Sequence, residues 1–293
     1  MTSAGERAIY YKPEIAFDRG ALPLEPRVFQ AERDAAFSPE TRSGFIDLDM
    51  REHFNVSWPC TTPSLLARYV MLSGREPLAT CSNSSGDVFF VLHGCGETSL
   101  GDEEVFWNAG DSFCVPGGAE AQHRSAGSKT ILLQVSDQPL FNYLGARPDG
   151  ERDSLQLVHY SKQRIDEGLD EVHDREGPQN SAGKCVVFVT AAMAHLRLVT
   201  PSMLASVNSL EPGGGQRPHR HNSVALTIAM ECDNVYSMVA GRRIDWVEGA
   251  VMLTPAGAVH SHHNRGAKMM RSFVAQDTGL HTHLQTTSFS WDT

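Results

Sequence analysis

Short apolar runs separated by turn residues fill two stretches of the chain and restrict the folds it can adopt. In the first stretch the runs lie between Ser64 and Ser136, and in the second they begin near Lys184. Val, Ile, Leu and Phe dominate these runs, and Gly, Asn, Ser or Pro separates them. This pattern is typical of antiparallel sandwiches and barrels. The chain is therefore predicted to be all-β, with one barrel in each stretch.

Three histidines come from two segments of the second stretch with spacings suited to a single metal ion. His219 and His221 are two residues apart, so in a strand both side chains point to the same face. His260 follows Pro255 and Gly257, where a returning strand would bring in a third imidazole. Three neutral imidazoles on one side of a metal leave the other side open for substrate and oxygen. Histidines two residues apart also occur by chance on exposed strands, and thirteen histidines in the chain raise that chance.

The two stretches are interpreted as an internal repeat. A glycine, a proline and a histidine follow one another in both: Gly110, Pro116 and His123 in the first, and Gly249, Pro255 and His260 in the second. In this comparison Cys81 and Asn83 take the places of the first two histidines of the metal set. The first barrel is therefore predicted to keep the fold and to lack the metal, with His123 as a packing residue.

Composition excludes several classes of partner. The net charge of −10 argues against nucleic acid or an anionic membrane as a main partner. No run of 18 apolar residues is present, so no transmembrane helix is expected. The first residues have no apolar core of the kind found in secretion signals. Six cysteines without a Cys-x-x-Cys pair indicate free thiols in a reducing compartment, and a cytoplasmic protein is expected.

Four segments are predicted along the chain. Residues 1–58 form a polar N-terminal arm with a short helix near Pro26–Ala36, and residues 59–150 form the first barrel. Residues 151–183 form a helical linker, because apolar residues recur at helical spacing between Ser154 and Val172. Residues 184–293 form the metal-binding barrel. Paired barrels commonly associate further, so a homo-oligomer is expected.

The segments around the histidines resemble the cupin superfamily and, within it, the gentisate and salicylate 1,2-dioxygenases. The matching motif positions are Gly213, His219, His221, Gly249, Pro255, Gly257, His260 and Asn264. In the first half, Ser136-Asp137-Gln138-Pro139 is similar to a Ser-Asp-Arg-Pro phrase of that family. The resemblance covers most of residues 60–285, although the metal-bearing half comes second here and first in the family. It implies a bicupin, with two double-stranded β-helix (jelly-roll) barrels and a short helical linker.

Carried over by position, the resemblance implies Fe(II) held by His219, His221 and His260. Mn, Ni or Zn would also suit three imidazoles. It places His262 beside the metal, where it is the candidate general acid or base, since imidazole titrates near neutral pH. The Glu that usually follows the second histidine is absent, because the segment reads Asn-Ser-Val-Ala-Leu-Thr. The metal set is therefore expected to be three histidines alone.

One departure concerns the substrate. The family has an arginine six residues after the second ligand that grips the substrate carboxylate, and this chain has Thr227 there. A bidentate guanidinium–carboxylate pair is worth roughly 1.5–3 kcal/mol, which a threonine hydroxyl cannot replace. Either Arg197, Arg217 or Arg271 binds the carboxylate instead, or the substrate has none.

Three functions remain open on the sequence. The first is an extradiol-type, ring-cleaving Fe(II) dioxygenase that takes a small hydroxylated aromatic substrate and O2, as in aromatic compound catabolism. The second keeps the metal but is an oxidase, lyase or isomerase of a biosynthetic pathway. The third is a non-catalytic, ligand-binding bicupin. The barrel alone cannot separate them, since one fold supports many chemistries.

Overall fold

The computed structural model describes residues 2–12, 23–148, 155–175 and 183–292. Within these ranges the chain forms two barrels from twenty-one strands, as the alternating apolar runs predict. The helices are short and lie outside the barrels. They are the α-helices Gln30–Phe37, Arg51–Phe54, Gln138–Leu144, Lys162–Asp174 and Thr278–His283, and the 3-10 helices Gly5–Arg7 and Ala191–Met193.

β1 (Arg27–Val28) belongs to a sheet of the second barrel, and the strands that follow it, β2 to β11, form the first barrel. A six-stranded antiparallel sheet, in the order β11-β8-β5-β10-β3-β2, faces a four-stranded sheet in the order β4-β9-β6-β7. The strands are β2 (Gly44–Asp47), β3 (Leu66–Ser73), β4 (Leu78–Thr80), β5 (Gly86–His93), β6 (Cys95–Leu100), β7 (Glu103–Asn108), β8 (Ser112–Pro116), β9 (Ala121–Ser125), β10 (Lys129–Ser136) and β11 (Val158–Tyr160).

The second barrel repeats this plan. Its six-stranded sheet has the order β1-β18-β15-β20-β13-β12, and its five-stranded sheet has the order β17-β16-β19-β14-β21. The strands are β12 (Lys184–Phe188), β13 (Leu204–Leu210), β14 (His219–His221), β15 (Ala225–Glu231), β16 (Val235–Val239), β17 (Arg242–Asp245), β18 (Val251–Thr254), β19 (His260–Asn264), β20 (Met270–Gln276) and β21 (Phe289–Trp291).

The outer faces of the two six-stranded sheets pack against each other and form one core between the barrels. The rings of Phe90 and Phe273 meet across it with centroids 4.9 Å apart. The Tyr69 hydroxyl donates a 2.7 Å hydrogen bond to the Gly249 carbonyl of the other barrel. Because both faces of these sheets are covered, strands such as β5 and β10 are buried along almost their whole length.

The segments predicted as arm and linker add strands to the barrels. β1, from the arm, pairs with β18 of the second barrel, whereas β2 pairs with β3 of the first. From the linker, β11 pairs with β8 and so joins the first barrel. The predicted arm helix is present at Gln30–Phe37, and the linker helix begins only at Lys162 because β11 precedes it. Residues 176–182, near the end of the predicted linker, lie outside the described residues.

All six cysteines are free thiols. Among the described helices, none has the length and hydropathy needed to cross a membrane.

Candidate metal centre

The three histidines predicted as ligands meet inside the second barrel. His219 on β14 lies opposite His260 on the neighbouring strand β19, and their ring centroids are 4.3 Å apart. The centroid of His221 lies 4.8 Å from that of His260. One nitrogen from each of the three imidazoles lies within 4.8 Å of the other two. Spacing by two residues on β14 and the pairing of β14 with β19 together produce this convergence.

Backbone carbonyls fix the orientation of all three rings. In each imidazole Nδ1 donates its hydrogen to a main-chain carbonyl, so Nε2 keeps its lone pair for a metal. The carbonyl belongs to Arg217 for His219 at 2.9 Å, to Ser223 for His221 at 2.8 Å, and to Ala258 for His260 at 2.9 Å. This is the usual second contact of a metal-ligating histidine.

Burial keeps the three ligands uncharged. It lowers the pKa of His219 and of His221 below the ordinary value of an imidazole. The pKa of His260 falls to about 3, because of burial first and then the nearby His219 and His221. A neutral imidazole is the form that binds a metal. Three neutral nitrogen donors with open space opposite them therefore fit a divalent transition metal.

Turn residues of the motif hold the two ligand segments together. Gly257 has a φ of 75°, and its N–H donates a 2.7 Å hydrogen bond to the carbonyl of His221. Asn264 is fully buried, and its side-chain nitrogen bonds the carbonyls of Leu210 and Lys268 at 2.9 and 2.8 Å. The glycine and asparagine positions thus serve the fold, whereas the histidines are free to bind a ligand.

The metal centre opens into a cavity of about 290 Å³. Its walls come from the inner face of the second barrel, where small and polar residues alternate with the apolar residues of the inter-barrel core. On β15, for example, Ala225 and Thr227 line the cavity, and Leu226 and Ile228 join the core. The polar side chains of the lining, besides the histidines, are Cys185, Ser206, Asn208, Gln216, Thr227, Thr254 and Gln276.

His262 lines the same cavity, on the far side of His260. Its Nδ1 is hydrogen-bonded to the hydroxyl of Ser237 at 2.7 Å, and the Trp246 indole donates to the same hydroxyl at 2.7 Å. Burial, followed by the nearby His260, holds the pKa of His262 well below its ordinary value. His262 is therefore an uncharged imidazole at neutral pH.

The three arginines considered as carboxylate anchors lie elsewhere. Arg197 is exposed in a turn with a φ of 59°. Arg217 is exposed, with its guanidinium 5.1 Å from the centroid of the Trp291 ring. Arg271 is ion-paired with Asp166. None of the three is among the described residues that line the cavity, whereas Thr227 is.

The described residues of the first barrel do not bring a comparable set of ligands together. At the place of the His219–His260 pair, β4 and β9 bring Thr80 opposite Ala121. The sequence interpretation that paired His123 with His260, and Cys81 with the first ligand, is therefore wrong in register. That interpretation aligned the two histidines with each other. Ala121 lies as far after Pro116 as His260 lies after Pro255, so an alignment on the prolines would have matched Ala121 to His260.

Charged and aromatic side chains fill the interior of the first barrel. Arg68 donates to the Gln134 carboxamide oxygen at 2.7 Å, and the Gln134 nitrogen donates to Asp87 at 2.6 Å. Phe89 and Phe113 stack with centroids 4.7 Å apart in the apolar cluster beside this network. That the first barrel lacks a metal stays a prediction.

Several cavity residues were not predicted from the sequence. Ser206 and Asn208 interrupt the apolar run of β13 at alternate positions, which is a readable sign of an inner polar face. Gln276 ends β20, and Phe289 comes from the last strand, β21. The Phe289 ring lies 5.3 Å from that of His219 because β21 pairs with β14.

Comparison with known proteins agrees with this description. Residues 207–275 match the family model described as a cupin domain. A segment of 111 residues, 38% of the chain, is 31% identical to 5-aminosalicylate 1,2-dioxygenase of Comamonas sp and spans 30% of that protein. Another of 81 residues, 27% of the chain, is 36% identical to gentisate 1,2-dioxygenase 1 of Aquipseudomonas alcaligenes and spans 23% of it. The matches thus span less than a third of the length of these curated relatives.

The same fold is seen over nearly the whole chain in a solved structure. Salicylate 1,2-dioxygenase of Pseudaminobacter salicylatoxidans superposes with a TM-score of 0.74 at 15% identity, covering 91% of this chain and 88% of that one. The chain therefore has the bicupin fold. The three histidines lie within the segment that matches the cupin model, and segments of the chain are distantly similar to gentisate-type dioxygenases.

Proposed function

We propose that this bicupin is a non-haem Fe(II) dioxygenase that cleaves or oxidises a small hydroxylated aromatic compound with O2. The observation that carries the proposal is the set of three Nε2 atoms, each fixed by a carbonyl at Nδ1, facing a cavity of about 290 Å³. That volume is near the lower end of the range for small-molecule sites, about 300 Å³, and suits one substituted ring. Similarity to 5-aminosalicylate and gentisate dioxygenases supports the same class of reaction.

The side chains around the metal have distinct tasks under this proposal. Iron bound by His219, His221 and His260 would supply a Lewis acid and a binding place for oxygen. Phe289 supplies an aromatic wall beside His219 against which a ring can pack. His262, an uncharged imidazole in the cavity wall, is placed to take the proton of a substrate hydroxyl. Ring cleavage of the extradiol type is the finer form of the proposal.

Metal analysis and oxygen uptake test this function together. The protein is purified without oxygen, its metal content is measured, and oxygen consumption is followed with a panel of hydroxylated aromatic compounds. Iron-dependent uptake with at least one compound, lost in His219→Ala, is the expected result. Zinc at full occupancy with no uptake on any phenol would refute the dioxygenase.

A second function is favoured by one feature of the cavity. Thr227 stands where the similar dioxygenases are expected to have an arginine, and Arg197, Arg217 and Arg271 are not in the described lining. The same metal centre would then serve an oxidase, lyase or isomerase with a different substrate. Analysis of products separates the two, because ring cleavage consumes oxygen and changes the ultraviolet spectrum, and isomerisation consumes none.

A further inference from the structure

We infer that the cavity beside the metal centre is a subsite for an uncharged, hydrogen-bonding substituent of the substrate. The substrate class is an aromatic compound that chelates the metal through two adjacent oxygens and carries a hydroxyl, keto or carboxamide group, not a carboxylate, beyond them. This inference rests on the proposed aromatic substrate and deepens it. It is carried by four features of the described residues: unpaired polar atoms, oriented carboxamides, the neutrality of the lining, and the contrast with the first barrel.

Two buried polar atoms in the cavity wall have no partner among the described residues. Thr254 is 1% exposed, and its hydroxyl oxygen makes no hydrogen bond with the protein. The side-chain oxygen of Gln216 is likewise buried and unpaired. Both residues line the cavity that contains the three histidines. Buried polar atoms are nearly always paired in folded proteins, so a bound ligand or water is the expected partner of each.

Two carboxamides of the lining leave hydrogen-bond donors for a ligand. The Asn208 oxygen accepts from the Ser206 hydroxyl at 3.1 Å, and the Gln276 oxygen accepts from the Thr278 hydroxyl at 2.9 Å. The NH2 groups are then the parts of these side chains that remain for other partners. Together with Gln216, the wall offers both donors and acceptors. A hydroxyl or carboxamide both donates and accepts, whereas a carboxylate only accepts.

The charge available to a substrate comes from the metal alone. The described lining residues carry hydroxyl, thiol, carboxamide, imidazole or apolar side chains, and none of them is an Asp, Glu, Lys or Arg. Two chelating oxygens of the substrate would already face the positive metal. A carboxylate farther from the metal would be buried beside neutral groups only, and burying a charge without a partner is costly.

The first barrel shows how this chain does bury a carboxylate. Asp87 lies opposite Val115 and Ser136, as Ala225 of the second barrel lies opposite Thr254 and Gln276. Asp87 is held there by the hydroxyl of Ser84 at 2.7 Å, by Gln134, and by the charge of Arg68.

The second barrel has no such partners at the matching inner positions. Ser206 on β13 lies opposite Val274 on β20. The corresponding pair in the first barrel is Arg68 on β3 and Gln134 on β10. The cavity beside the three histidines thus lacks the cation that accompanies Asp87 in the first barrel.

A matched pair of ligands tests the inference on the full chain loaded with Co(II) in the absence of oxygen. The pair is 3,4-dihydroxybenzamide and 3,4-dihydroxybenzoate, which present the same two adjacent hydroxyls and differ in the charge of the distant group. Dissociation constants are measured by titration calorimetry and by the Co(II) absorption bands. The amide is expected to bind about tenfold more tightly, because the carboxylate of the acid would be buried without a charge-assisted contact. Equal or tighter binding of the acid would overturn the inference and leave the proposed function standing.

A substitution supplies a second, independent readout. Thr227→Arg introduces a cation at a cavity position and is expected to reverse the preference toward the acid, whereas the similarly sized Thr227→Val should keep the preference for the amide. Thr227→Arg with unchanged selectivity, when it folds and binds Co(II), would count against a subsite at this wall. Failure of both catechols to bind metal-loaded wild-type protein would instead refute the aromatic substrate class, and the inference with it.

Discussion

His123 and His262 occupy equivalent positions in the two barrels, and each shares a strand hydroxyl with a tryptophan. In the first barrel the Thr98 hydroxyl lies 2.8 Å from Nδ1 of His123 and accepts the Trp107 indole hydrogen at 2.9 Å. In the second barrel the corresponding hydroxyl and indole are those of Ser237 and Trp246, both at 2.7 Å. A hydroxyl used twice in this way belongs to the framework of both barrels, with or without a metal.

Removing this hydroxyl from the second barrel should destabilise the protein. Ser237→Ala leaves the Trp246 indole N–H and Nδ1 of His262 without their shared partner in a buried place. An unsatisfied buried polar group costs about 1–3 kcal/mol, so the free energy of unfolding should fall by that amount. Urea unfolding followed by tryptophan fluorescence measures it.

The first barrel supplies the matched control for this prediction. Thr98 performs the same task there, so Ser237→Thr keeps the hydroxyl and should lose much less stability than Ser237→Ala. Equal losses in the two variants would indicate that packing, and not the shared hydrogen bond, accounts for the effect.

Loss of one ligand should abolish metal binding without unfolding the chain. His219→Ala removes a donor whose Nε2 faces the other two imidazoles. Saturating metal stabilises a folded protein by about 2.7 kcal/mol at 100 times its dissociation constant. Fe(II) or Co(II) added without oxygen should therefore raise the melting temperature of the wild type and leave that of His219→Ala unchanged.

An exposed histidine serves as the control for this metal test. His195 lies near the 3-10 helix Ala191–Met193 and outside the cavity, so His195→Ala should keep both the metal content and the thermal shift. A full complement of metal in His219→Ala, measured by atomic absorption, would contradict the assigned centre.

The carboxyl buried in the first barrel should make stability depend on pH. Burial raises the pKa of Asp87 from 3.8 to about 6. Between these values the unfolded chain is ionised while the folded protein keeps its proton, so the free energy of unfolding falls as pH rises. The loss should reach about 3 kcal/mol and level off above pH 6 or so.

Asp87→Asn isolates this effect. The variant has no proton to lose at that position, so its unfolding free energy should vary less with pH between about 4 and 6 than that of the wild type. Its absolute stability is expected to differ as well, because Gln134 and Ser84 both donate to the carboxylate. If the unfolding free energies of the wild type and of Asp87→Asn, measured with denaturant, changed with pH in parallel, Asp87 would not titrate in this range.

The strands and the convergence of the three histidines could be predicted from the sequence because their signals are local. Short apolar runs and turn residues predicted strands such as β3, β5 and β10, and the two-residue spacing of His219 and His221 predicted a shared face. The position of His260 after a Pro-Ala-Gly turn is local in the same sense. These features do not depend on which other strands lie nearby.

The lining of the cavity depends on long-range packing and could not be predicted in the same way. Which face of β13 turns inward, with Ser206 and Asn208, is decided by the packing of its other face on the first barrel. Phe289 reaches the site only because β21 pairs with β14, some seventy residues earlier in the chain. The register of the repeat was present in the sequence, in the equal distances of Ala121 from Pro116 and of His260 from Pro255, but His123 drew the comparison away from Ala121.

The last strand should govern how tightly an aromatic ligand binds. The Phe289 ring is stacked 5.3 Å from His219 and lines the cavity, although 48% of the residue is exposed. Phe289→Ala removes one aromatic wall and keeps the backbone pairing of β21 with β14, so metal content should stay the same. An aromatic pair contributes about 0.5–1.5 kcal/mol, which predicts a loss of affinity of roughly two- to tenfold for 3,4-dihydroxybenzamide in calorimetry. Phe106→Ala, at a residue 65% exposed on the first barrel, should leave that affinity unchanged. Loss of metal in Phe289→Ala would show instead that this ring is needed to hold His219 in place.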